Sequence, residues 1–570
     1  MRQPSHLVPS LHATCPAFNH SHTGIHPKPF SLTPSPSLSI PSLPTYTSPA
    51  PFRRQLNPPS ILLIVFTGSA IIVDGAGPGG KGKGVVNVYP GLCNDNDWPG
   101  CKTGTLLAQA VPANYAADEL LTNWTKPSYN PIIENTQRDP STPWKTSAGE
   151  WRLRTFDSMV YGAASDADML AGKWYTIGKS ADFRTCECPS VYPLPAATPG
   201  TEKTYEAARK AGSLPDTVHK TSCGGDWWQV GNYVAGPPKT LGSFNATPGW
   251  EDLFVQKRID FGEFYASKDN EYPTLDGGVR RINWGWATVP PASTQTLPRE
   301  ITFNAEARTL QQLPIEEIKS LRGAAAYDKS GVTVDGELDL GLADGVARQS
   351  EIIASFALPS TKGTFGISIG TQAPSVVTAH TLMKGTDIPG SDYNVSHYPP
   401  NTEPKECEAA CAADDKCKAW TYVIRGQPAG SGDCCLKSSI PCPSASSDCT
   451  SGAKVETKLP SCGTTGGISC TVDYTPGATS VPVDCGGTKD TLTLLPSEKT
   501  VELRIFTDWT FIEAYFQQGR VAITKKIATT PSTGMFFTTS APLTVDAKAF
   551  SMKDIWVDEK AVRASPRVYT

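Results

Sequence analysis

The chain has 570 residues, and a length prior predicts about three to four domains, fewer if the domains are all-β. A formal net charge of −4, with acidic and basic residues mixed along the chain, excludes the basic face of a nucleic-acid-binding protein, so we expect an uncharged ligand and no nucleic-acid partner. Glycine and proline, with 49 and 50 residues, favour many short strands joined by turns, which predicts a mainly β fold.

Residues 1–59 are rich in proline, serine and histidine, and the first acidic residue of the chain is Asp74. This composition predicts a disordered leader or a wrongly assigned start. The apolar stretch from Ile61 to Val73 is too short to span a bilayer, and a Gly-Ser pair interrupts it. We therefore expect two buried strands here rather than a targeting segment, and no membrane span.

Short apolar runs bounded by turn residues continue to about residue 300, a spacing typical of propellers, barrels and sandwiches. Strands are predicted in this part at 85–89, 150–154, 174–178 and 227–231. A second β unit follows, with strands predicted at 337–340, 350–356, 501–506 and 511–516 and a short helix at 315–321.

The composition changes between about residues 380 and 462 to Cys, Ala, Asp, Lys and Ser. Ten of the 16 cysteines lie between Cys407 and Cys485, which indicates disulfides and therefore an oxidising compartment. Sequence does not determine which cysteines pair. A cysteine-rich insert within one β-sandwich explains this order of segments most simply.

Asp139 and Glu187 are the candidate catalytic residues. Cleavage of a glycosidic bond usually needs two carboxyl groups, one to protonate the leaving oxygen and one to attack the anomeric carbon or activate water. Asp139 precedes Pro140, which predicts an extended backbone that fixes the direction of the carboxylate. Taken singly, Asp139 is more often a residue that braces a turn, and Glu187, between two cysteines at a predicted strand end, is more often a surface residue.

No cofactor is predicted. The glycine-rich run at 75–82 lacks the Ser or Thr that would follow the lysine of a phosphate-binding loop, so a hairpin turn is favoured over a nucleotide site. His219 is isolated and predicted to be structural, and the cysteines lack the spacing of zinc ligands, so no metal site is expected.

Several motifs follow one another in a fixed order, at 66–70, 123–127, 130–133, 138–140, 186–189, 259–268, 280–286, 297–300 and 503–520. In this order they resemble glycoside hydrolase family 32, the invertase and fructan-hydrolase family. The resemblance implies a five-bladed β-propeller over 60–300, with its first blade incomplete, followed by a β-sandwich formed by 301–380 and 463–570. The insert at 381–462 resembles a PAN/apple module, whose ligand would be a protein or a carbohydrate, although a disulfide-bonded spacer is an equal alternative.

The resemblance also implies roles for single residues. Glu187 would be the general acid/base, which requires a raised pKa, and Asp139 would stabilise the oxocarbenium-like transition state. The residues implied to bind a sucrose or fructan substrate are Arg138, Phe66, Ser69, Trp284 and Asp260. The compartment implied is extracellular or vacuolar.

The chain departs from the family at the nucleophile. The family carries this Asp in a Trp-Met-Asn-Asp-Pro-Asn-Gly-like segment upstream of residues 66–70, and no such segment is present here. Two hypotheses follow. The first is a retaining β-fructofuranosidase-like enzyme whose start is wrongly assigned, and the second is a catalytically inactive carbohydrate-binding or cell-surface protein. Fructosyl transfer to another sugar is a third alternative.

Overall fold

A computed structural model of the chain describes residues 64–65, 67–93, 104–114, 118, 121–274, 278–290, 292–372, 376–377, 379–424, 431–441, 443–458, 464–527, 533–555 and 559–564. The predictions for residues 1–59 and for Phe66 lie outside these residues. Two compact units are present, one formed by Leu62–Pro374 with Ser461–Thr570 and the other by Ser375–Pro460. Within the described ranges we find no helix that is both long and apolar enough to cross a bilayer.

Four antiparallel sheets, here called sheets 1 to 4, follow one another along the first part of the larger unit. The strands of sheet 1 are Ile64–Val65, Ser69–Asp74, Lys83–Cys93, Gly104–Pro112, Trp124–Thr125 and Ile133–Thr136, and those of sheet 2 are Trp144–Lys145, Trp151–Arg154, Met159–Ala163 and Tyr175–Lys179. The strands of sheet 3 are Glu187–Pro193, Thr217–Ser222, Asp226–Val234, Ser243–Asn245 and Lys257–Arg258, and those of sheet 4 are Phe264–Pro273, Val279–Ala287, Thr294–Gln295, Arg299–Asn304 and Thr309–Pro314. The short helices in this part are Pro78–Gly80, Asp166–Leu170, Glu202–Lys210 and Glu251–Leu253. The strands predicted from the apolar runs are confirmed, and the fifth blade stays a prediction.

Neighbouring sheets bury apolar side chains against each other. Val73 of sheet 1 packs with Trp151 of sheet 2, and Trp228 of sheet 3 packs with Phe264 and Ile301 of sheet 4. Each fully buried side chain of this size stabilises the fold by about 1.5–3 kcal/mol relative to an exposed one.

Three strands lie together, one each from sheets 1, 3 and 4. Phe264–Pro273 contacts both Ser69–Asp74 and Glu187–Pro193. The starts of these strands are near one another, because Tyr265 donates a hydrogen bond to Glu187 and because Ser69 and Lys268 both donate to the carbonyl of Pro140. Ser69, Glu187 and Tyr265 all lie at these strand starts.

The second part of the larger unit is a sandwich of two sheets, here called sheets 5 and 6. Sheet 5 contains Arg322–Val334, Gln349–Ala357, Thr500–Asp508, Phe511–Phe516, Val521–Lys526 and Leu543–Met552. Sheet 6 contains Glu337–Asp339, Gly363–Gln372, Thr464–Tyr474, Ser480–Cys485, Thr488–Thr493 and Gly534–Thr539. The helices are Glu316–Leu321, Asp344–Arg348 and Glu559–Ala564, and the first of them confirms the helix predicted at 315–321.

Strand periodicity explains the core of this sandwich. Along Leu543–Met552 the side chains of Leu543, Val545, Ala547 and Ala549 are buried, while the intervening ones are exposed. This alternation is the two-residue period of a strand with one face in a core. The inner faces of both sheets form a single apolar cluster.

The sandwich approaches sheets 3 and 4 closely at two glycines. A Cβ atom at Gly262 would stand 1.7 Å from the carbonyl oxygen of Thr524, and one at Gly519 would stand 1.9 Å from that of Gln312. No other residue type fits either position without movement of the backbone. The two parts of this unit are therefore in direct main-chain contact.

The described residues of the smaller unit form a five-stranded sheet, a two-stranded sheet and one helix. Its strands are Val376–Val377, Met383–Asp387, Asp392–Tyr398, Ala419–Ile424, Gly432–Lys437, Ser444–Ala453 and Thr457–Lys458, and its helix is Pro404–Ala413. Disulfides Cys407–Cys434 and Cys411–Cys417 join this helix to the segments beside it. Trp420 and Tyr422 complete the core. The disulfides account for much of the order in so small a unit, because its core is small.

Candidate active site

Glu187 is the first residue of strand Glu187–Pro193, and its side chain is 32% exposed. The strand register shifts between Glu187 and Ser190, and Cys188 has a left-handed φ of 45°. Such a bulge redirects side chains at the start of a strand. A disulfide from Cys186 to Cys223 fixes the residue just before Glu187 to the loop that follows the neighbouring strand.

The carboxylate of Glu187 is bound on both oxygens. Arg138 Nη2 donates to Oε1 at 2.5 Å, and the Tyr265 hydroxyl donates to Oε2 at 2.6 Å. The Tyr265 hydrogen bond, and after it that of Arg138, lowers the pKa of Glu187 below its usual value. The raised pKa expected for a general acid is therefore wrong for this geometry, because both neighbours favour the charged form.

Asp139 is almost completely buried, with 4% of its surface exposed. Its Oδ2 accepts a hydrogen bond of 3.2 Å from the main-chain N–H of Cys188, the residue after Glu187. Burial raises the pKa of Asp139, and the Cys188 N–H, Lys268 and Arg138 oppose that rise. The extended backbone predicted before Pro140 is wrong, since Asp139 has a φ of 58°.

Arg138 joins the two acids. Besides its contact with Glu187, its Nε lies 3.9 Å from Oδ2 of Asp139. The guanidinium lies over the ring of Phe156, 4.5 Å from its centre. The main chain of Phe156 bonds to the Arg138 carbonyl on one side and to the Cys186 N–H on the other. Phe156 therefore holds both acid-bearing segments and the cation between them.

The carbonyl of Pro140 anchors this cluster to sheets 1 and 4. It accepts hydrogen bonds from Ser69 Oγ at 2.9 Å and from Lys268 Nζ at 3.0 Å. Ser69 is buried, so its hydroxyl fixes the Asp139 loop in this structure. Lys268 is half-buried and places a positive charge near Asp139.

Trp284 and Lys268 line a cavity of about 430 Å³ together with Trp286, which is 48% exposed. The structure therefore brings Trp284 beside the lysine that contacts the Asp139 loop. Aromatic rings next to polar groups are the usual lining of a sugar site.

The prediction that Asp260 binds substrate does not fit its position. Its Oδ2 accepts from Arg299 at 3.0 Å and from Thr524 Oγ1 at 2.8 Å, and its Oδ1 accepts the N–H groups of Gly262 and Thr524. Asp260 is 1% exposed, and protein donors bind both of its oxygens. It joins sheets 3 and 4 to the sandwich instead.

Sequence reasoning assigned no role to Tyr265 or Lys268. Both lie on strand Phe264–Pro273, whose register shifts between them, and Ala266 has a φ of 49°. In a regular strand, residues three apart face opposite sides. The shift brings both side chains to the site. The only signal in the sequence was that an aromatic and a basic residue occur together in the motif at 259–268.

Three segments of the chain match known protein families. Residues 62–314 match the model of the glycosyl hydrolases family 32 N-terminal domain, residues 465–556 match that of the family 32 C-terminal domain, and residues 386–437 match the PAN domain. Together the two family 32 matches cover more than half of the chain.

Two of the similar proteins are plant enzymes. The chain is 27% identical over 289 residues to a fructan 6-exohydrolase of Triticum aestivum, covering 44% of this chain and 46% of the relative. It is 28% identical over 285 residues to an insoluble β-fructofuranosidase of Daucus carota, covering 45% and 44%. The chain thus matches about half the length of these relatives.

The fold resembles that of the fructan 1-exohydrolase IIa from Cichorium intybus, with a TM-score of 0.51 at 18% identity. The alignment covers 86% of this chain and 84% of that one. At this identity the likeness concerns the fold alone.

Proposed function

The chain belongs to glycoside hydrolase family 32, and from this premise we propose that it hydrolyses terminal β-fructofuranosyl linkages of sucrose or a fructan with retention of configuration. The observation that carries the proposal is the contact of one guanidinium, that of Arg138, with both Glu187 and Asp139. This places a general acid/base, Glu187, close to a carboxylate that can stabilise the positive charge of the transition state, Asp139. The names of the plant relatives support the substrate class.

In this proposal Glu187 protonates the leaving-group oxygen and then removes a proton from the attacking water. Only the protonated carboxyl can take the first step, so the rate falls as the pH rises through the pKa of Glu187. Because Tyr265 and Arg138 lower that pKa, we expect hydrolysis to be confined to acidic pH.

Asp139 stabilises the positive charge that develops on the fructosyl ring, and its second oxygen hydrogen-bonds ring hydroxyls. Its main-chain contact with Cys188 fixes its position relative to Glu187. Trp284 and Trp286 supply an apolar wall for the next part of the substrate.

A retaining mechanism also needs a carboxylate that attacks the anomeric carbon. The family carries this residue upstream of the motif at 66–70, and residues 1–73 contain no Asp or Glu. We therefore assign no residue to this role. Hydrolysis and sugar binding are therefore measured separately.

The test measures fructose released from sucrose and from inulin by the full chain between pH 3 and pH 8. Glu187→Gln should reduce kcat/KM by about 10²–10⁴-fold, the usual contribution of a positioned acid or base. Asp139→Asn should reduce it by about 10²–10³-fold, the usual contribution of a group that stabilises transition-state charge. Glu206→Gln is the matched control, because Glu206 is exposed and pairs only locally with Arg209 in a helix.

Unchanged turnover in Glu187→Gln would contradict the assigned role. If the full chain releases no fructose but binds sucrose or inulin in calorimetry, the hypothesis of a carbohydrate-binding protein replaces that of an enzyme.

We also propose an extracellular or vacuolar compartment and a protein or carbohydrate ligand for the PAN unit. Disulfides such as Cys407–Cys434 persist in oxidising compartments, which supports the first of these. Mass spectrometry of the protein recovered from its native compartment would test it, since free thiols at these positions would exclude such a location.

A further inference from the structure

Lys220 and Asp226 form an ion pair with neither side chain exposed to solvent. Lys220 Nζ lies 3.1 Å from Oδ2 of Asp226, and both side chains are 0% exposed. They face each other near the ends of the paired strands Thr217–Ser222 and Asp226–Val234. Burial of two charges is costly unless further hydrogen bonds satisfy them, so the other partners of this pair indicate why it is present.

Apart from Ser222 Oγ, 3.3 Å from Lys220 Nζ, those partners belong to the two segments that form the candidate active site. Lys220 Nζ lies 3.4 Å from the carbonyl of Cys188, the residue after Glu187, and also donates to the carbonyl of Ser267. Asp226 Oδ2 accepts the N–H of Ser267 at 2.8 Å. One buried pair therefore holds the main chain beside Glu187 and the main chain of the strand that carries Tyr265.

Both segments are irregular at these contacts. The register of one strand shifts just after Glu187, and that of the other shifts between Tyr265 and Lys268. Where a bulge interrupts a ladder, carbonyl groups lose their strand partners, and a buried carbonyl needs another donor. The ammonium of Lys220 supplies that donor to both segments.

We propose that Lys220, held by Asp226, is a positioning residue for the general acid: it sets the spacing at which the Tyr265 hydroxyl reaches Glu187. This inference rests on the proposed function. Lys220 has no contact with Glu187, and it acts through the main chain at Cys188 and Ser267.

Lys220 could influence Glu187 through the main chain or directly through its charge. The charged groups that face Glu187 and Lys220 distinguish these two effects. Glu187 is faced by Tyr265 and Arg138, which lower its pKa. Lys220 is faced by Asp226, and its charge acts on the Cys188 thiol, on His219 and on Lys268. A change at Lys220 should therefore reach Glu187 through the position of Tyr265.

The test is Lys220→Met/Asp226→Asn in the full chain. Neutral residues of similar size often replace a buried ion pair without loss of stability, whereas removal of one partner leaves an unpaired charge. Lys437→Met/Asp392→Asn is the matched control, because that pair is also buried and Lys437 also donates to a carbonyl, that of Gly390, but it belongs to the insert.

We expect kcat for fructose release to fall by about 10²-fold, the usual effect of a misplacement of about 1 Å, with little change in KM. The alkaline limb of the pH–rate profile should move to higher pH, because Glu187 loses the hydrogen bond that lowers its pKa. In a Tyr265→Phe background, the same double substitution should cause no further shift of that limb. The control variant Lys437→Met/Asp392→Asn should leave kcat, KM and the alkaline limb unchanged.

Hydrogen exchange followed by mass spectrometry gives a readout that does not need activity. Peptides that contain Glu187–Pro193 and Phe264–Pro273 should exchange faster in the variant, and peptides from sheet 2 should not. Lys220→Gln/Asp226→Asn keeps a hydrogen-bond donor at position 220 and should increase the exchange rates less. This variant is used instead if Lys220→Met/Asp226→Asn does not fold.

The proposal would be overturned if the Lys220→Met/Asp226→Asn variant exchanged these two segments at the same rate as the unmodified chain. An alkaline limb at the same pH as in the unmodified chain would also overturn it. If the parent itself releases no fructose, the proposed function fails, and the exchange measurement alone then decides whether Lys220 holds the two segments.

Discussion

Arg299→Met is expected to destabilise the contact between sheet 4 and the sandwich strongly. Arg299 is 0% exposed, and its Nη2 lies 3.0 Å from Asp260 Oδ2 and 2.8 Å from Glu513 Oε2. Glu513 also accepts a hydrogen bond of 2.7 Å from the Tyr515 hydroxyl. Methionine fills similar volume but leaves two buried carboxylates without their cation.

The magnitude follows from this burial. Removal of one partner of a buried ion pair costs about 3–5 kcal/mol, because the remaining charge is uncompensated. For domains of 150–250 residues, 1 kcal/mol corresponds to about 2–4 °C in Tm, so Arg299→Met should lower Tm by roughly 10 °C. Arg308→Met is the matched control, since Arg308 and its partner Asp252 are 38% and 55% exposed and an exposed pair contributes only about 0–1 kcal/mol.

Differential scanning calorimetry at neutral pH would measure both variants. Addition of Asp260→Asn and Glu513→Gln to Arg299→Met should restore part of the lost stability, because it removes the unpaired charges. A Tm for Arg299→Met equal to that of Arg308→Met would refute the reasoning, and so would a triple variant less stable than the single one.

Three further outcomes are expected. Tyr265→Phe should move the alkaline limb of the pH–rate profile to higher pH, since it removes the strongest influence that lowers the pKa of Glu187; an unmoved limb would show that another group titrates. Asp139→Asn should raise Tm at pH 7 and lose this advantage near pH 3, because the raised pKa of Asp139 means that its contribution to stability is present at low pH and lost as the pH rises; an equal gain at both pH values would exclude this cause. Gly262→Ala should cost about 1–3 kcal/mol by crowding the facing carbonyl, while Gly345→Ala, with open space around it, should be tolerated in the same chemical denaturation assay.

Much of the fold could be predicted because strand periodicity and turn residues are local signals. The runs at 501–506 and 511–516 lie within or coincide with Thr500–Asp508 and Phe511–Phe516. The short helix Glu316–Leu321 was predicted from the same kind of local signal. The cysteine pairing was not, because spacing along the chain does not determine which sulfur atoms meet in space.

The candidate site was predictable only in part. Motif order identified Asp139 and Glu187, and the structure places both against Arg138. The left-handed backbone of Asp139 and the lowered pKa of Glu187 were not predictable, since both depend on contacts between distant segments. Asp260 was misread because a buried acid at a domain contact has the same sequence signature as one that binds a ligand.

The insert begins and ends at neighbouring positions of sheet 6. Gln372, the last residue of one strand, pairs with Thr464, the first residue of the next. Adjacent strands lie about 4.8 Å apart, so a short turn could connect the same two strands. Addition of a folded unit at such a point changes no strand pairing and adds mainly a loop-closure cost that grows slowly with length. The hairpin is therefore a natural point of exchange, at which a lineage could gain, lose or replace a module without altering the sandwich around it.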